Sequence, residues 1–155
     1  MPSSAPTPEQ LAEIFDHALD AYPSECCGFV RVSGARRCRN IRDQWHGRRD
    51  DAGDRTTATG YAFDLGALQE LADSFDGDDP VLVVYHSHPD VGAYFSDEDA
   101  RFAVLDGQPV YPVDHLVVDA TADGARGARL FRFVPERGRY VAVETFGAPR
   151  PERLP

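Results

Sequence analysis

The apolar run Val81 to Tyr85 (VLVVY) passes without a break into His86-Ser87-His88-Pro89. An uninterrupted apolar run of this length is the pattern of a strand covered on both faces, so it belongs at the centre of a sheet with layers packed on either side. Side chains two apart on a strand point the same way with Cα atoms about 6 to 7 Å apart, so His86 and His88 leave the strand end in one direction. Pro89 has no N–H for the ladder and predicts where that strand stops.

The surrounding segments supply the layers. Thr7-Pro8-Glu9-Gln10 has the form of a capping box with proline in the first turn. Behind it Leu11, Ile14, Phe15, Ala18, Leu19 and Tyr22 recur at helical spacing, predicting a helix from about Pro8 to Tyr22 that Pro23 ends. Cys26 to Val32 reads as a short strand, turned at Ser33-Gly34 into a second strand from about Arg36 to Gln44. Residues 46–60 hold few apolar side chains and many turn formers, the composition of a long polar loop. A brief strand at Tyr61 to Phe63 precedes Asp64 as cap of a second amphipathic helix carrying Leu65, Leu68, Leu71, Ala72 and Phe75. His115 to Asp119 reads as another buried strand, and Ala128–Val134 with Arg139–Val143 as a closing hairpin.

About six strands and three helices in mixed order, without internal repeats, predict an α/β fold: a mixed, curled sheet of about six strands with helices packed on it. A single domain over residues 1–146 is expected, followed by a loose tail over 147–155. The chain has 155 residues, enough for one core.

Charge narrows the function. With 26 acidic against 16 basic residues and a net charge of -10, the chain is poorly suited to neutralising phosphates, so nucleic acid and anionic membranes are not expected partners. All 16 cations are arginine, and aspartate outnumbers glutamate, a bias that fits a salt-rich or high-GC source. Cys26, Cys27 and Cys38 are too few for a disulfide framework and read as small core residues. No secretory signal or membrane-spanning run stands out, so a cytoplasmic protein is expected.

The chemistry concentrates after the central strand. Six residues beyond Pro89 comes Ser96-Asp97-Glu98-Asp99, where Ser96 opens a helix and Asp99 sits one turn in. Two imidazoles and a carboxylate form a donor set that suits Zn²⁺ and leave the fourth tetrahedral position open, as catalytic sites do. From this chain's own composition, H-x-H-P-x6-S-x-x-D should arise by accident in on the order of one such chain in ten thousand. Taken singly the parts have plainer readings. The histidines can be surface groups on a strand end, Ser96 with Asp99 is itself a capping box, and a glutamate following a helix, such as Glu25, is usually solvated. Cys27 alternates with Cys26 so as to face the same way as Glu25. His17 and His46 lack partners at ligand spacing, a surface role is the default for His115, and Trp45 covers a sheet edge or grips substrate.

His86, His88, Pro89, Ser96 and Asp99 match without gaps the motif of the JAMM (MPN-plus) metalloproteases, and Pro23-Ser24-Glu25-Cys26-Cys27-Gly28-Phe29 resembles the upstream strand that carries that family's acid. The likeness spans nearly the whole chain and is closest to the compact stand-alone prokaryotic members. It implies an MPN/cytidine-deaminase-like sandwich, one zinc ion per chain held by His86, His88 and Asp99, Glu25 as general acid/base, and Ser96 as a donor to the developing oxyanion. The implied activity is hydrolysis of a peptide or isopeptide bond at or near the C-terminal tail of a ubiquitin-like or sulfur carrier protein. A non-catalytic MPN-like interaction module and a zinc amidohydrolase acting on small amides are the competing readings.

Overall fold

The computed structural model describes residues 4–44 and 56–151. Helix α1 (Pro8–Ala21) starts at the expected capping box, with the Thr7 hydroxyl accepting from the Gln10 N–H and the Gln10 side chain accepting from Thr7. Strand β1 (Cys27–Arg31) turns into β2 (Gly34–Cys38), and Asp64 caps α2 (Leu65–Ser74). The apolar run becomes β3 (Val83–Pro89), and Ser96 caps α3 (Asp97–Ala103). A small ribbon, β4 (Val104–Leu105) with β5 (Gln108–Pro109), leads into β6 (Asp114–Thr121), β7 (Gly124–Val134) and β8 (Arg139–Gly147).

Six strands form one mixed sheet in the order β2-β1-β3-β6-β7-β8. β3 runs antiparallel to β1 and parallel to β6, so the crossover carrying α3 lies between its two central strands. Strand alternation divides the core. Val83 and Tyr85 pack with Ile14 and Ala18 of α1 on one face, while Val84 packs with Cys27, Phe29 and Leu71 against α2 on the other. His86 and His88 continue the parity of Val84, so they emerge on the face that α2 and α3 cover. A second consequence of this packing is the glycine at position 28: a Cβ there would collide with the Arg36 carbonyl and the Tyr85 ring. Tyr85 fills that space and carries its hydroxyl to His17 Nδ1 at 2.7 Å.

Several boundaries differ from the sequence reading. β2 stops at Cys38 and the chain passes into a 3₁₀ turn at Arg42–Gln44, because Asn40 bonds back to the Glu25 and Gly60 carbonyls instead of continuing the ladder. The strand expected at Tyr61 to Phe63 is reduced to one bridge, Asn40 to Phe63. The histidines lie within β3, because its pairing with β1 ends at His86 while its pairing with β6 continues to Pro89. The described part of the tail expected to be loose from residue 147 is docked as far as Arg150: Gly147 ends β8, and the Arg150 guanidinium grips the fully buried Asp119 carboxylate of β6. A buried carboxylate needs a cation, and Arg150 supplies it through a direct ion pair. Trp45, His46 and the polar stretch to residue 55 lie outside the described residues, as do residues 152–155. No described helix is long and apolar enough to cross a membrane.

Candidate metal centre

Adjacent pleats of β3 aim two imidazoles at the start of α3. His86 is fully buried and His88 nearly so, and their Nε2 atoms stand 3.1 Å apart. Asp99 Oδ2 lies 3.2 Å from the first and 3.3 Å from the second. Three donors around a tetrahedral ion with bonds of about 2.0–2.1 Å are separated by about 3.3–3.4 Å, so this triangle has the dimensions of one face of a zinc site. The electronics fit as well. The Gly92 carbonyl, 3.2 Å from His88 Nδ1, only accepts, so the ring's proton sits on Nδ1 and its Nε2 lone pair faces the carboxylate. Two lone pairs at that distance repel unless a cation lies between them. Burial pushes His86 below the ordinary histidine range. Burial raises the Asp99 carboxyl, but His86, by charge and hydrogen bonding, more than reverses this and holds it well below the usual range. A neutral imidazole and an ionised aspartate are the forms a divalent cation takes.

The capping box that opens α3 also fixes the aspartate. The Asp99 N–H donates to Ser96 Oγ and the Ser96 N–H donates to Asp99 Oδ2, both at 3.0 Å. Capping uses a lone pair of the serine oxygen and leaves its O–H proton available. Glu25 arrives from the other side, one residue before Cys26 and two before Cys27, which pairs with His86 across β1 and β3. Its backbone is pinned by Thr57 O at 2.6 Å and Asn40 Nδ2 at 2.9 Å. A carboxylate oxygen of the buried Glu25 and ring nitrogens of His86 and His88 lie within 4.8 Å of one another. Tyr61 stacks on His86 and Tyr94 meets His88 edge-on. Glu25, His88, Ser96 and Asp99 open together onto a cavity of about 860 Å³, whose wall includes the aromatic rings of Tyr61 and Phe102.

All five residues singled out from the sequence are therefore brought together. Cys27 shares their face, but its thiol turns away to the Cys38 and Arg39 carbonyls at 4.0 and 3.7 Å, and burial pushes it upward. His115 is not a surface group. It is buried on the site face of β6, in edge-on contact with Phe95 and Tyr140, and burial pushes its imidazole down to about 3. The unbroken apolar surroundings of Leu116 to Val118 were the available signal. A buried ion pair went unseen: Arg42 donates to Glu98 at 3.0 Å, tying the 3₁₀ turn to the first turn of α3 beside Asp99. Nothing local in the sequence distinguishes these two from solvated charges.

Residues 7–133 match the family model described as prokaryotic homologs of the JAB domain. The chain belongs to this family. The JAB-domain architecture agrees with the mixed α/β fold, and the family includes metalloisopeptidases as well as non-catalytic members. Two solution structures share the fold. A Desulfitobacterium hafniense protein is 22% identical with a TM-score of 0.53, over 89% of this chain and 88% of its own. A Salinibacter ruber protein is 24% identical with a TM-score of 0.51, over 96% of this chain and 94% of its own. No curated protein matches the sequence.

Proposed function

We propose that this JAB-family chain is a zinc-dependent peptidase or isopeptidase that hydrolyses an amide at or near the C-terminal tail of a ubiquitin-like or sulfur carrier protein. The observation that supports this best is the triangle of His86 Nε2, His88 Nε2 and Asp99 Oδ2, with edges of 3.1 to 3.3 Å, beside the buried Glu25 carboxylate. His86, His88 and Asp99 are the residues that would hold the ion. Two nitrogens and one oxygen suit zinc better than the harder cations. A divalent cation in this position acidifies water and polarises a carbonyl.

The chain's own groups do the rest. The Glu25 carboxylate accepts a proton from the attacking water and returns it to the departing amine, a task for one acid/base placed on the cavity wall. The Ser96 O–H, fixed by its capping bond, donates to the oxygen that gains negative charge as the carbonyl carbon becomes tetrahedral. Tyr61 and Tyr94 keep the two imidazole rings from swinging out of alignment. The cavity admits an extended tail, whose backbone can pair with an exposed strand or loop edge while small residues pass the site.

Elemental analysis and mass spectrometry test this together. Zinc-supplemented protein is expected to carry one zinc per chain and to shorten a ubiquitin-like or sulfur carrier adduct by its C-terminal extension. His88→Ala should lose both properties while keeping its fold. A folded protein that never takes up zinc would overturn the catalytic reading in favour of an interaction module. Cleavage restricted to small acyl-amino acids would overturn the substrate class.

A further inference from the structure

The segment after β8 reaches the metal centre from behind. Arg150 donates to the two oxygens of Asp119 through its guanidinium, at 2.7 and 2.9 Å, and through its backbone N–H at 2.8 Å. Asp119 is wholly buried and is the registered neighbour of His88 on the parallel strand β6. The clamp holds residues 148–151 against the loop between β3 and α3. There the Arg150 carbonyl accepts from the Ala93 N–H at 3.0 Å. Arg129 bridges the two segments, donating to the Ala93 carbonyl at 2.9 Å, the Arg150 carbonyl at 3.1 Å and the Pro149 carbonyl at 3.3 Å. Gly92 is pressed onto Pro151 so closely that a Cβ would collide with the Pro151 carbonyl, and its φ of +93° suits glycine. The carbonyl of this same Gly92 accepts the hydrogen bond from His88 Nδ1–H.

We infer that Arg150 is a positioning residue for His88: by locking the C-terminal segment onto Asp119, it fixes the Gly92 carbonyl that sets the orientation and tautomer of the His88 ring. The Asp119–Arg150 pair lies outside the motif, and it acts through the loop and not on substrate. Partners that orient a ligating imidazole typically contribute about 10- to 100-fold in metal affinity. The inference rests on the reading of His88 as a zinc ligand for its effect on affinity, but not for its effect on the ring.

The test compares the full chain with Arg150→Ala, Arg150→Lys and a chain ending at Gly147, using zinc competition against a chromophoric chelator and the imidazole ¹H–¹⁵N spectrum of the metal-free protein. Arg150→Ala and the truncation are expected to weaken zinc binding about 10- to 100-fold and to broaden or lose the protected His88 Nδ1–H resonance, with the other histidines unchanged. Arg150→Lys, which keeps the charge and one donor, should restore part of both. A peptide of residues 148–155 added to the truncated chain should restore the resonance. Wild-type zinc affinity in Arg150→Ala with only a lower melting temperature would show a merely structural clamp and overturn the inference. Should the intact chain bind no zinc, the metal reading falls, and an unchanged His88 resonance in Arg150→Ala would separately overturn the positioning role.

Discussion

Two histidines that take no part in the proposed chemistry should make this protein sensitive to acid. His17, on the buried face of α1 against the Tyr85 hydroxyl, is held down to about 4, chiefly by burial, with Arg37 adding to the effect. His115, enclosed by Phe95 and Tyr140, is held down to about 3 by burial. In the unfolded chain both take a proton near pH 6.5. Between that pH and the lowered values the unfolded state binds more protons, so stability is full above about pH 6.5 and falls as the pH drops. Each group contributes a slope of about 1.4 kcal/mol per pH unit, or about 2.5 kcal/mol by pH 4.5, and the pair about 5 kcal/mol. That is a large share of the ~5–15 kcal/mol available to a small domain.

Urea unfolding between pH 7 and 4.5 with chelator present measures it, since removing metal ions keeps ligand binding out of the balance. Replacing both groups, His17→Asn and His115→Phe, lowers stability at pH 7 but should flatten the pH dependence by about 2.7 kcal/mol per pH unit relative to the parent. The difference between the two proteins cancels the titration of the many carboxylates, which lie on both. Parallel curves would refute the argument, because they would mean that the folded state accepts protons at these positions without penalty.

Glu25→Gln should still bind one zinc yet lose turnover by at least about 100-fold, and near-normal turnover would remove Glu25 from the proton path. Ser96→Ala should lose about 1 kcal/mol of helix capping, a melting shift of about 2–4 °C, whereas Ser96→Gly should lose only a few tenths. Both should fall about 100-fold in turnover, so activity that tracked melting temperature across the two would leave Ser96 as a cap alone. Gly28→Ala forces a methyl into the Tyr85 ring and the Arg36 carbonyl, and should cost about 1–3 kcal/mol by urea unfolding.

The legible part of this chain was the part written in local chemistry. Thr7, Asp64 and Ser96 announce helix starts because a capping side chain bonds only three residues ahead. Val81 to Tyr85 announces a central strand because both of its faces need apolar neighbours. The site motif was readable for the same reason: His86 and His88 share a strand, and Ser96 and Asp99 share a helical turn. What could not be read depends on distant partners. Arg150 looks like any charge in a proline-rich tail until Asp119, 31 positions earlier, is seen buried against it. His115 looks solvated until Phe95 and Tyr140 close over it. Asn40 ends β2 by bonding to Glu25 and Gly60, a choice no propensity records.

Capping and the proposed metal binding are compatible readings of Ser96 and Asp99, and the geometry makes them one device. The oxygen of Asp99 that accepts from the Ser96 N–H is the same Oδ2 that faces both imidazoles. An aspartate three residues into a free helix samples several rotamers. Here the Ser96 N–H selects one before any ligand arrives, while the buried Arg42–Glu98 pair anchors the helical turn that carries it. A side chain ordered during folding does not have to be ordered again on binding, so its conformational cost is charged to the folded state. The β3 side of the site is prepared in the same way, by Gly92 on His88 and by Tyr61 on His86. The centre is therefore assembled from a strand end and a helix start whose own termination chemistry already holds the donors in place, and a change that frays α3 should weaken metal binding before it unfolds the sheet.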